Sequence, residues 1–172
     1  GQARQWQPSP ETVYPPHDNS REVEQVAQLV GAVNVGGARQ VLGQLVLLAQ
    51  NGEMPPLAFA AAMSKLSSEL CAAYPNIAGK TLRDLAIVWR WPNIFQYYLS
   101  LCAELERLCE HLKQAYEGEN RRKISQAVRY VREHYLSDLD MGDVSRHVTM
   151  NYTQFSHLFK QYTGQNFLEY LK

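Results

Sequence analysis

Between residues 151 and 163 the sequence sets Thr153, Gln154, Ser156, His157 and Lys160 along one side of a helical period, with Phe155, Leu158, Phe159 and Tyr162 along the other. The first group consists of hydroxyl, amide, imidazole and ammonium side chains, all of which donate or accept hydrogen bonds. The second group is an apolar anchor. A helix of this make-up suits insertion into the major groove of DNA, where each base pair presents its own pattern of donors, acceptors and methyl groups. The same pattern fits any amphipathic helix that lays an apolar face on a core, so periodicity alone leaves both readings open. Upstream, Arg121, Arg122 and Lys123 form a cationic run. They are candidate phosphate contacts, or simply a solvated run at a helix start.

No competing chemistry is visible. The sequence has no glycine-rich phosphate loop, GxSxG turn, HExxH pair or calcium-loop ligand series. Its histidines, His17, His111, His134, His147 and His157, are not spaced with one another or with carboxylates as metal ligands would be. Neither an enzyme, a metal site nor a small-molecule cofactor is expected. Cys71, Cys102 and Cys109 are odd in number and show no CxxC pairing, which argues for a reducing cytoplasm and against a disulfide framework. Formal net charge is zero, but residues 1–117 carry 9 Lys/Arg against 11 Asp/Glu, and residues 118–172 carry 8 against 6. The basic tilt of the tail permits a nucleic-acid partner without specifying one.

The elements that would position these groups read as helices throughout. Residues 1–20, with Pro8, Pro10, Pro15 and Pro16, form an expected arm or linker. From Arg21, Val23, Val26, Ala27 and Val30 mark a helix that should end near Gly36-Gly37. A second runs through Val41, Leu45, Leu48 and Ala49 to Asn51-Gly52. A third opens at Pro55-Pro56, carries Phe59, Met63, Leu66 and Leu70, and stops at Pro75. A shorter apolar stretch covers Leu82 to Trp91. A long amphipathic helix is then expected from Asn93 to about Tyr116, stopped by Gly118 and followed by a polar bridge to Lys123. In it Phe95, Tyr98, Cys102, Leu105, Cys109, Leu112 and Tyr116 fill heptad a and d positions, flanked by Leu99, Leu101 and Leu108. So wide a stripe favours the spine of a helical domain, and the alternative is a homodimer through residues 93–116.

In the tail, Ile124, Ala127, Val128, Val131 and Tyr135 share a face, and Ser137-Asp138 break the helix. Asp140 is placed to cap a short helix with Met141, Val144 and Val148 inward and a small residue, Ser145, at a close crossing. Thr149-Met150-Asn151 makes the turn, and Asn151 caps the next helix. The run from Ile124 to Leu171 resembles the AraC/XylS family of bacterial regulators. The resemblance is carried by Ile124, Ala127, Tyr130, Val131, His134-Tyr135, Met141, Val144-Ser145, Met150-Asn151, Ser156, Phe159-Lys160, Gly164, Phe167 and Tyr170. Ser145 stands where the family usually has Ala, Tyr152 where Pro is frequent, and His157 where Arg is usual. Histidine lacks the guanidinium fork that commonly reads guanine.

The resemblance implies a homeodomain-like three-helix unit that binds double-stranded promoter DNA through Thr153, Gln154, Ser156, His157 and Lys160. The family carries two such units joined by a long helix, so the chain is expected to be a fragment of a transcription regulator, truncated before the second unit. Gly1 in place of a start methionine agrees with that. Tyr14-Pro15, Glu22, Val26, Val30 and Gly36-Gly37-Ala38 more loosely resemble the middle region of large AraC-type regulators. Some of these follow a phosphorylatable receiver domain, as in YesN-type response regulators of two-component systems. Others follow a membrane sensor, where the helical region would act as a dimerisation or protein-interaction module with little DNA binding of its own. The stretch from Leu82-Arg83-Asp84-Leu85 to Trp89 lies closer to the response-regulator form. The expected organisation is all-α: an arm at 1–20, a helical signal-relay domain at 21–117 and the DNA-binding half-domain at 121–172.

Overall fold

The computed structural model describes residues 18–172, so the expected arm, the Tyr14-Pro15 lead and His17 lie wholly or largely outside the described residues. All regular structure among the described residues is helical. These residues divide into two compact units, one up to Lys113 and one from Gln114 to Lys172.

The front unit is built from α1 (Ser20–Gly31), α2 (Val35–Gln50), α3 (Pro56–Ala73), α4 (Lys80–Asp84), a single 3-10 turn at Val88–Arg90, and the first part of α5 (Ile94–His134). Its core joins Val23, Val26 and Val30 of α1 to Leu42 and Leu45 of α2, to Phe59, Met63 and Leu66 of α3, and to Tyr97, Leu105 and Leu108 of α5. Tyr97 is buried, stands edge-on to Phe59 and Trp91, and donates its hydroxyl to Leu85 O at 2.7 Å. Pro56 opens α3 at the position where a missing N–H costs nothing.

The joint between α1 and α2 differs from expectation. Gly36 and Gly37 lie inside the first turn of α2, and the chain turns earlier, at Ala32–Asn34. Asn34 caps α2 by accepting from Gly37 N at 2.9 Å, and a Cβ on residue 37 would sit 3.0 Å from Asn34 Nδ2 and 3.1 Å from Leu29 Cδ2. The glycine therefore serves close approach, while the strained turn falls on Val33, a β-branched residue at φ 58°.

A second correction concerns Gly118 and the bridge after it, for α5 runs unbroken from Ile94 to His134. An interior glycine costs a helix only about 1 kcal/mol relative to alanine. Its neighbours offset that cost. Glu119 pairs with Arg122 at 2.8 Å and with Lys123 at 4.0 Å, the three- and four-residue spacings that support a helix.

The heptad stripe is only partly buried. Cys102, Leu105, Cys109 and Leu112 are buried, as are the flanking Leu101 and Leu108, whereas Phe95, Leu99 and Tyr116 are exposed. Its central portion is thus a spine of the front unit's own core, as the width of the stripe favours.

The second unit takes the rest of α5 together with α6 (Met141–His147), α7 (Tyr152–Thr163) and α8 (Phe167–Leu171). Ile124, Ala127 and Val131 pack with Val144, Val148, Phe155, Phe159 and Phe167. Tyr135, expected on that face, is 67% exposed, because α5 ends at His134 and Ser137 N turns back onto His134 O.

Candidate nucleic-acid interface

Two short helices and the turn between them set the geometry. Asp140 accepts from Asp143 N at 2.7 Å and starts α6, where negative charge meets the positive end of the helix dipole. Ser145 is buried, with its hydroxyl turned back to Gly142 O at 3.0 Å and its own carbonyl accepting from Met150 N at 2.9 Å. The chain then reverses through Thr149, at φ 56°. Asn151 begins α7 by accepting from Gln154 N at 2.8 Å, and Gly164 ends it in the left-handed conformation at φ 77°.

Behind α7 the anchor is aromatic. Phe155 and Phe159 are fully buried, and both meet the Phe167 ring edge-on, at 6.0 and 5.4 Å. On the outer side Thr153, Gln154, His157 and Lys160 are exposed and Ser156 is half-buried. Among the described residues none of these five side chains spends its polar group on an intramolecular hydrogen bond or ion pair. Thr153, Ser156, His157 and Lys160 follow helical spacing, so the structure brings them to one face, with Gln154 beside them.

The three cations on α5 are differently disposed. Arg121 stands over the Tyr162 ring, 5.9 Å from its centroid. Arg122 makes a two-point pair with Glu119, which lowers the Glu119 pKa and raises its own. Lys123 donates to Thr149 O at 3.1 Å.

Several features near this face escaped the sequence reading. Gln161 is exposed one helical turn beyond His157, a spacing that was legible in the sequence. Arg146 projects from α6 and pairs with Asp143. The Tyr130 ring stacks on both His134 and His147, at 4.3 and 3.9 Å, tying α5 to α6. No period or motif signals that contact.

These helices make the C-terminal segment a helix-turn-helix: a short capped helix, a tight turn, and a second helix that offers free hydrogen-bonding side chains above an aromatic core. Residues 131–172 match the family model of the bacterial regulatory helix-turn-helix proteins, AraC family. This segment is therefore an AraC-type helix-turn-helix, a module of DNA-binding transcription regulators. No curated protein and no solved structure matches the chain. No helix among the described residues is long and apolar enough to cross a membrane.

Proposed function

We propose that the chain is part of a sequence-specific transcription regulator that acts in the cytoplasm, with α7 as the helix that enters the major groove. The observation that carries this is the outer face of α7, where Thr153, Gln154, His157 and Lys160 are exposed with unspent polar groups directly above buried Phe155 and Phe159. Thr153, Gln154, Ser156 and His157 read base edges, Lys160 meets phosphate, and Arg121 and Arg122 flank the contact on the phosphate side. The front unit relays a signal to this reading head, and the looser resemblance of the middle region favours a receiver domain of a two-component system as its source.

The test compares alanine variants against a duplex that the chain has itself selected from a random-sequence pool, and against mixed-sequence duplex. His157→Ala and Thr153→Ala weaken binding to the selected duplex by about 1–3 kcal/mol each and leave mixed-sequence binding unchanged. Lys160→Ala weakens both. Unchanged selectivity in all three variants would remove α7 as the reading helix.

A second reading is favoured by the front unit, where Leu47 (57% exposed) and Phe95 (55% exposed) line one shallow apolar groove with Tyr98. In this reading the front unit is an association module, with residues 93–116 contributing to a homodimer. Sedimentation of the wild-type chain and of Phe95→Ser separates the two, since only an association module changes its oligomeric state.

A further inference from the structure

We propose that Lys123 is a positioning residue for the reading helix: its ammonium straps the turn in front of α7 to α5 and does not serve as a phosphate contact. This rests on the DNA-reading function proposed above and adds a residue that acts through the turn instead of on DNA. Lys123 Nζ donates to Thr149 O at 3.1 Å. Its side chain is only 24% exposed, whereas that of its neighbour Arg122 is 67% exposed. The carboxylate of Glu119, held in a two-point pair by Arg122, lies 4.0 Å from the same ammonium, so the closest partner of Lys123 is the Thr149 carbonyl.

The acceptor sits at the most demanding point of the turn. Thr149 holds φ 56°, a region that costs an L residue about 1–2 kcal/mol and persists only where the surroundings enforce it. The neighbouring amides are committed elsewhere, Thr149 N to Arg146 O at 3.1 Å and Met150 N to Ser145 O at 2.9 Å. The Thr149 carbonyl is left at the apex, and an ammonium gives it a charge-assisted bond stronger than a neutral donor would. Two residues later Asn151 caps α7, so whatever fixes Thr149 fixes the origin of the reading helix.

The far end of α7 is braced by the same stretch of α5. Tyr162 Oη reaches Glu117 O at 3.5 Å, and the Arg121 guanidinium covers the Tyr162 ring. Residues 117–123, which read in the sequence as a polar bridge, therefore touch α7 at its start and near its finish. Reading helices contact bases through a few side chains, so a small shift of the helix origin costs selectivity before it costs phosphate contacts.

That difference supplies the test. The full chain and its Lys123→Met variant are titrated against a duplex the wild type selects from a random-sequence pool, and against mixed-sequence duplex, from about 50 to 200 mM salt. Amide exchange at Thr149 and Met150 is followed in parallel. Lys123→Met should cut the preference for the selected duplex about tenfold and leave mixed-sequence affinity and salt slope unchanged. It should also speed exchange at those two amides, and Lys123→Arg should restore both properties. An equal loss on both duplexes, with a salt slope smaller by about one, would make Lys123 a phosphate contact and overturn the proposal. Unchanged selectivity and exchange would also overturn it. If the wild type selects no sequence, the DNA-reading function fails, and the exchange rates alone decide whether the strap exists. Should Lys123→Met lose its helical circular dichroism, Lys123→Gln, which keeps a donor without the charge, is judged by the same criteria.

Discussion

At the scale of single residues, stability in both units turns on a few side chains whose surroundings are unusual for their type. Tyr97 is one: burial pushes its phenol well above the ordinary value of 10.0. The unfolded chain releases that proton first, so the Tyr97 contribution is complete below about pH 10 and is lost as pH rises beyond it. Tyr97→Phe should flatten the alkaline loss of stability seen in urea melts between about pH 10 and 12. It should also lower stability at neutral pH by about 1–3 kcal/mol, because Leu85 O loses its donor. The Thr149 side chain is exposed and adds nothing of its own to offset the left-handed backbone. Thr149→Asn, a residue that tolerates this conformation, should raise the melting midpoint by the equivalent of up to about 1 kcal/mol. Ser145 behaves in the opposite way. Buried at the crossing of α6 and α7, it accepts Ala with a loss below about 1 kcal/mol, whereas Ser145→Leu should cost about 1–3 kcal/mol in the same melts.

At the scale of elements, the unbroken α5 is the main departure from what local signals indicate. Gly118 punctuates the sequence and is flanked by charge, which together read as a stop. In the structure a Cβ at residue 118 would meet nothing within 4 Å, and the backbone there is helical. Gly118→Ala should therefore stabilise the protein by about 0.5–1 kcal/mol. Loss of stability on that substitution would place a break in α5 after all. The cysteines carry a second test at this scale. Cys102 and Cys109 are buried in the α5 stripe, and burial raises the Cys109 thiol above its usual range, while Cys71 on α3 is half-exposed. At about pH 8 a thiol reagent should modify Cys71 rapidly and reach the two α5 thiols only as the protein opens. Three equal rates would show that the stripe is not a buried spine.

For the whole molecule, charge balance limits what DNA binding can look like. With 17 basic and 17 acidic side chains the chain has no global field to gather it onto a polyanion. Binding must come from local contacts, so log affinity should fall linearly with log salt at a slope of only a few units, about 0.9 per phosphate neutralised. If α7 reads DNA as proposed, one such helix makes only part of the contacts that two would. We expect this chain alone to bind mixed duplex in the range of about 10⁻⁴–10⁻⁶ M at physiological salt. A duplex the chain selects should be bound more tightly than mixed duplex but short of nanomolar affinity, and nanomolar binding by a monomer would show that one helix-turn-helix suffices.

Much of this was legible in the residues themselves. The helical class, the start of α3 at Pro56, the caps at Asp140 and Asn151, the span of α7 and the two faces of that helix all follow from local rules. Capping geometry, the helical period and the backbone demands of proline act within a few residues, so the sequence displays them directly. The tertiary structure alone decided four things. Whether Gly118 ends a helix depends on a balance of about 1 kcal/mol, which the Glu119 ion pairs and burial on either side settle. Whether Tyr135 faces inward depends on where α5 stops, one residue before it. That Lys123 caps the carbonyl of Thr149, 26 residues away, and that Tyr130 lies between His134 and His147, depend on which faces meet. No periodicity records such contacts, because they are properties of packed helices and not of the segments that form them.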